Sequence, residues 1–309
     1  MTAVGNGLVH VAVLLVVPPL FFGVVQRVKA LVAGRTGPPL LQPYRDLARL
    51  LRKGAVYSRA TTWLFRAGPV VALSSIICAG LLVPLQAGAA PLGFRGDVIA
   101  FAALLALARF ATILAAMDTG SSFEGMGASR EATFAALAEP ALFLGLAVVC
   151  IPAGAPWFQA AWARLPWETW GAAHPAMLAA AGALFIYLLA ENARIPVDDP
   201  ATHLELTMVH EVMVLDHSGP DFALILYGSA MKLFVVAALL VHLLLAVPAA
   251  GGWAGVAILL AGQLLIAVLV GGVESSVARL RLPRVPQFLI GASVLAAIGL
   301  VALYYRGGL

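Results

Sequence analysis

Eight runs of apolar residues, at about 8–26, 64–86, 97–117, 133–152, 176–191, 222–247, 253–273 and 288–305, are separated by short polar connections. A bilayer core takes ~20 consecutive apolar residues per helix, so this pattern predicts about eight transmembrane helices, the fifth being the shortest. What remains of the 309 residues leaves no room for a soluble domain. The expected fold is therefore all-α, one polytopic integral membrane domain spanning 1–309. The first run lacks a basic start and a small-residue cleavage site, and reads as a retained helix rather than a signal peptide.

The polar connections differ sharply from one another. In the first, Gly34, Gly37, Pro38 and Pro39 mark a turn. Leu40, Tyr44, Leu47, Ala48 and Leu51 then recur at helical spacing, with Arg45, Asp46, Arg49, Arg52 and Lys53 between them. That is the pattern of a basic amphipathic helix lying in the membrane interface, serving either headgroup attraction or one wall of a cavity. The second connection, Asp118 to Glu131, is small, polar and glycine-rich. The third is acidic: Glu191 to Asp221 holds seven of the 15 carboxylates. Within it Pro196 interrupts the chain, and Thr202-His203-Leu204-Glu205 is a capping-box pattern that predicts a helix to about Asp216.

Composition agrees with the pattern: 62% of residues are hydrophobic and only 11% charged, against roughly a quarter charged in soluble proteins. Fourteen of the 19 Lys and Arg fall in the connections after the first, third, fifth and seventh runs. By the positive-inside rule these are cytoplasmic and both termini lie outside. The net charge of +4 comes from these loops and gives no reason to expect nucleic-acid binding. Four of the six tryptophans, Trp157, Trp162, Trp167 and Trp170, share one outer connection, as an interfacial belt would.

Chemistry-bearing residues are few. Cys78 and Cys150 each lie inside an apolar run; two thiols fall short of the four ligands an iron–sulfur cluster normally takes. Both read as core, and CxxC, HExxH and Gly-rich nucleotide loops are absent from the sequence. Redox or hydrolytic chemistry is expected on another polypeptide, with no catalytic residue, cofactor or metal here. Glu139, beside Pro140 in the fourth run, is a carboxylate at a depth where charge costs about 2.5–3.5 kcal/mol on insertion scales and faces a cavity or partner. Arg109 in the third run is its candidate partner, and Lys232 in the sixth is a further intramembrane charge. With Glu191, Asp198, Asp199, Glu205, Glu211, Asp216 and Glu274, these form a candidate proton path. His203, His210 and His217 recur every seven residues, ~10 Å apart along a helix, too far for one metal ion bound at ~2 Å. Histidines among carboxylates suit proton uptake; the same acidic face also suits docking of a soluble subunit. Arg279, Arg281 and Arg284 balance the acidic segment or anchor the helix ends.

ENARIPVDDP, followed by an acidic segment and His-Ser-Gly, resembles the signature of the subunit-1 (H-type) membrane proteins of respiratory complex I. Arg35-Thr36-Gly37-Pro38 and Leu282-Pro283-Arg284 match two further motifs of that family. Val197-Asp198-Asp199-Pro200 and His217 depart from it, where Phe-Asp-Leu-Pro and Tyr are usual. The full segment, with MDTGSSFEGMGASRE, is more similar to the membrane subunits of group 4 [NiFe] hydrogenases of the formate hydrogenlyase and hydrogenase-4 branch. That resemblance implies a cofactor-free subunit of a bacterial cytoplasmic (inner) membrane complex, surrounded by membrane lipid. Its implied partners are a [NiFe] large subunit, an iron–sulfur small subunit beside the acidic loop, and antiporter-like membrane subunits. The [NiFe] centre and Fe–S clusters lie in those partners. Glu139, Glu191 and the acidic loop take the ion path. Arg35, Asp118, Arg130, Arg194, His203, His210, His217, Arg279, Arg281 and Arg284 take docking or cavity roles. A quinone-site subunit of complex I is the rival. A stand-alone secondary transporter is weaker, because no internal repeat is visible and transporter sites lie near the midplane.

Overall fold

In a computed structural model, residues 3–86, 90–163, 167–198, 208–245 and 252–305 are described. Ten α-helices follow in order: α1 Ala3–Val32, α2 Gln42–Leu51, α3 Trp63–Leu82, α4 Asp97–Asp118, α5 Ser122–Cys150, α6 Phe158–Ala163, α7 Trp167–Glu191, α8 Gly219–Leu245, α9 Gly252–Ser276 and α10 Val285–Tyr305. Seven are long and apolar enough to cross a membrane, and the apolar part of α7, Pro175–Glu191, is the shorter eighth. The protein is an all-α polytopic membrane protein. Among the described residues there is no strand.

α8 sits at the centre. In its most apolar window 72% of residues are buried, against 28–44% in the other spans. From Ala230 to Leu243 every side chain is enclosed, which explains why this helix is apolar all round instead of showing a stripe. The pairs α3–α4, α5–α10, α7–α10 and α1–α9 pack around it, and α8 itself touches α1, α2, α3, α7 and α9.

α1 contains Pro18 and Pro19. A proline lacks the N–H that would bond the carbonyl four residues back, so Pro19 orphans Leu15. The Tyr227 hydroxyl donates to that carbonyl at 2.6 Å, and the Tyr44 hydroxyl donates to Val16 O one residue on. The proline stretch of α1 is thereby tied to α8 and to the amphipathic helix α2, which has no fully buried residue of its own.

Three local readings need correction. The polar segment after α4 is mostly helix, because α5 begins at Ser122: its small residues let it pack, with Gly127 against Val209 and Val212. The expected helix to Asp216 starts at residues outside those described, and its described part is a bend followed by a 3-10 helix, Glu211–Val214. Asp198 Oδ2 accepts Val209 N at 3.1 Å and His210 N at 3.2 Å, capturing donors that a continuing helix would have used. Trp162 is 3% exposed and buried against His242 instead of lying in a surface belt.

Candidate functional site

Four helices each bring a charged side chain to the interior. Arg109, midway along α4, places Nη1 2.6 Å from Glu139 Oε1 of α5 and Nη2 2.7 Å from Glu191 Oε2 at the end of α7. Its Nε lies 3.9 Å from Glu131 Oε1, two turns before Glu139 on α5. Lys232 of α8 reaches Glu191 Oε1 at 3.2 Å. Arg109, Glu131, Glu191 and Lys232 are all buried. A carboxylate at a helix C-terminus faces the negative end of the dipole, and Glu191 offsets that with two cations. The cluster holds three carboxylates against two cations. Glu139 differs from the rest, its side chain 37% exposed. It opens onto a groove between α4 and α5 lined by Ala103, Ala106, Phe110, Ala132 and Ala136.

A second group lies toward the basic loops. Glu274 of α9 pairs with Lys29 at 2.8 Å and Arg194 at 3.2 Å, and the Arg194 guanidinium sits 4.7 Å over the Phe22 ring. Asp198 pairs with Arg279 at 2.9 Å. Beside them is a cavity of about 380 Å³ walled by α1 (Pro19, Phe22, Gln26, Lys29), α2 (Pro43, Asp46, Leu47), the Asn192–Arg194 turn, Asp198, His210, Glu211 and α8 (Leu226, Ser229, Ala230). Two smaller chambers separate it from the inner cluster. One, about 40 Å³, is lined among others by Arg109, Glu131, His210, Ser229 and Lys232. The other, about 10 Å³, is lined by Glu131, Glu191, Asp198 and Val209 among others. A water needs ~10–15 Å³, so the first holds a few waters and the second at most one.

Burial lowers the His210 pKa to about 4, with Lys232 and Arg194 adding to the effect and Glu191 opposing it. His217 is likewise held below its ordinary value, chiefly by burial. Among the described residues no group of three His, Cys, Asp or Glu is placed to hold a metal ion.

Of the residues singled out from sequence, the structure joins Arg109, Glu139, Glu191 and Lys232 in the inner cluster. Arg194, Asp198, His210, Glu211, Glu274 and Arg279 line or flank the cavity. Asp118 belongs to neither: it accepts from Thr62 N, Thr62 Oγ1 and Phe65 N at 2.6, 2.8 and 3.2 Å and caps α3. His217 is buried and stacked on Phe65 at 3.9 Å, so its ring presents no docking surface. Arg130 donates to Met208 O at 2.9 Å and holds the acidic loop. Asp216 is exposed, as are Arg35, Arg281 and Arg284. Asp199, His203 and Glu205 lie outside the described residues. Sequence reasoning missed Glu131 and Lys29. Glu131 stands eight residues before Glu139, on the same helical face, and that spacing is the signal that would have found it.

A bundle of apolar helices enclosing a chain of ion pairs defines a membrane protein organised around an internal ion network. The chain belongs to the NADH dehydrogenase family, whose family model matches residues 6–305. It is 35% identical over 240 residues to hydrogenase-4 component C of Escherichia coli strain K12, covering 77% of this chain and 74% of that one. Formate hydrogenlyase subunit 4 of the same organism is 32% identical over 310 residues, covering 96% and 98%. The H-type subunit of the NADH-quinone oxidoreductase of Burkholderia vietnamiensis is 27% identical over 233 residues, covering 71% and 62%. A chain in the structure of the membrane-bound sulfane sulfur reductase, an archaeal respiratory membrane complex, has the same fold, with a TM-score of 0.81, 22% identity and coverage of 96% and 98%. Both resemblances read from the acidic motif are present among these relatives, which are components or subunits of larger assemblies.

Proposed function

We propose that this chain is the membrane anchor of an energy-converting hydrogenase complex of the formate hydrogenlyase kind. It docks a soluble arm carrying the [NiFe] centre and Fe–S clusters, and couples electron transfer there to ion movement in the membrane. The inner cluster carries this reading: three carboxylates share two cations inside the helix bundle, with small chambers adjoining it and a cavity on the basic-loop side. A merely structural ion pair needs no spare carboxylate and no adjoining chambers. The similarity to formate hydrogenlyase subunit 4 along 96% of the chain selects the hydrogenase branch within the family. In this reading the basic loops face the cytoplasm of a bacterial inner membrane. The soluble large and small subunits seat on the acidic loop, and antiporter-like membrane subunits lie alongside.

The cavity favours a second reading, in which its occupant is a quinone and the chain belongs to a complex I-type enzyme, as the NADH-quinone oxidoreductase relative does. Gentle-detergent isolation from the native membrane, with mass spectrometry and a metal assay, separates the two. Nickel and a hydrogenase large subunit co-purify under the first reading; flavin and NADH-oxidising subunits without nickel would establish the second. Recovery of the chain alone would overturn both.

A further inference from the structure

We infer that His210 is the relay by which protons pass from the surface cavity to the inner charge cluster, and that this neck admits protons in preference to Na⁺. The inference rests on the ion-path reading above. Two residues, His210 and Ser229, line both the cavity and the larger chamber. The other way in runs past Asp198 through the smaller chamber of about 10 Å³. Asp198 is 1% exposed, paired with Arg279 at 2.9 Å, and accepts two backbone N–H groups. Those contacts make it an anchor for the loop.

His210 is anchored through its backbone. Its N–H donates to Asp198 at 3.2 Å and its carbonyl accepts Met213 N at 3.1 Å. The residue lines both the surface cavity and the chamber that Glu131, Arg109 and Lys232 also line. A neutral imidazole carries one donor and one acceptor nitrogen. One nitrogen takes a proton from cavity water while the other releases its own toward Glu131, and a turn of the ring restores the starting tautomer. No net charge is gained or lost at the ring.

The charged surroundings enforce transit over storage. Burial is the largest opposition to a positive imidazolium; Lys232 and Arg194 add to it, while Glu191 favours the charge. On the cavity side stand Lys29, Asp46, Arg194, Asp198 and Glu211; on the chamber side stand Arg109, Glu131 and Lys232. Dehydration bears on Na⁺. A metal cation keeps its full charge throughout the passage, and where the cavity meets the larger chamber an imidazole and a hydroxyl stand in place of its water shell. Buried charge without compensating ligands is strongly disfavoured.

The test uses the intact complex in liposomes, energised by its own electron-transfer reaction, with a pH-sensitive dye and a Na⁺-sensitive dye as readouts. Three variants are compared with the parent: His210→Gln, His210→Ala (with and without added imidazole) and Glu191→Gln. The expected result is proton translocation independent of Na⁺, a fall of at least about tenfold in His210→Gln, and partial recovery of His210→Ala by imidazole. A residue that only packs the loop gives no such rescue. Full translocation by His210→Gln alongside loss in Glu191→Gln overturns the relay and leaves the ion path standing. Full translocation in both variants overturns the path and the relay together. Na⁺-dependent translocation, or failure of imidazole to restore an assembled His210→Ala complex, overturns the inference.

Discussion

Arg109 is the residue on which the inner cluster depends, because it touches Glu131, Glu139 and Glu191 at once. Removing one partner of a buried pair costs about 3–5 kcal/mol, since the other charge is left uncompensated. Arg109→Gln is therefore expected to lower the yield and melting temperature of the assembled complex. Arg109→Gln with Glu191→Gln should recover part of that loss, which a double-mutant cycle in thermal unfolding measures. His217 offers a test in pH. It folds neutral with its pKa below the ordinary 6.5, so the unfolded chain binds more protons than the folded one. Its contribution is full above about pH 6.5 and is lost as pH falls from there toward the lowered value. His217→Phe keeps the stack on Phe65 and removes the titration. Its melting temperature should fall less than the parent's on acidification below pH 6.5. Glu139, Arg109 and Lys232 were legible in the sequence because a charge inside an apolar run stands out. Glu131 was hidden by lying in a polar stretch, where one more carboxylate carries no contrast.

At the scale of elements, length and apolarity gave the spans, and the structure has a helix over each of the eight runs, with α5 and α7 starting well before theirs. The starts and ends were harder to read, because they depend on helicity rather than hydropathy. α5 extends back to Ser122 through a polar sequence that no hydropathy reading assigns to a helix. The segment before His217 carries a helix start signal, yet its described end is 3-10, since Asp198, distant in local pattern, takes its amide protons. Two close fits between elements are testable. Tyr227→Phe leaves the Leu15 carbonyl without its donor, at a cost of about 0.5–1.5 kcal/mol, read as a lower melting temperature and faster hydrogen exchange around Pro19 of α1. Gly127→Val drives a side chain into Val209 and Val212. Overpacking of that kind costs about 1–3 kcal/mol, and limited proteolysis should cut the 208–216 segment sooner than in the parent.

For the whole molecule, the fold places its charges where several helices meet, and no single segment could have announced that meeting. Sequence named Glu139, Glu191, Arg109 and Lys232 separately, but the sharing of one arginine among three carboxylates is a property of the packed bundle. The surface cavity likewise needs α1, α2, the acidic loop and α8 together. Its α2 wall predicts that a bulky change there, such as Leu47→Trp, slows entry of a small water-soluble thiol reagent to a cysteine placed at Ser229. Labelling rates in the intact complex would show it. The order of the charges along the chain also bears on biogenesis. Arg109, Glu131, Glu139 and Glu191 all precede Lys232, and segments made first settle first. The lysine therefore enters the bilayer on the most enclosed helix only after the carboxylate it pairs with has been synthesised, and no step of insertion leaves that lysine waiting for an anion still to be made.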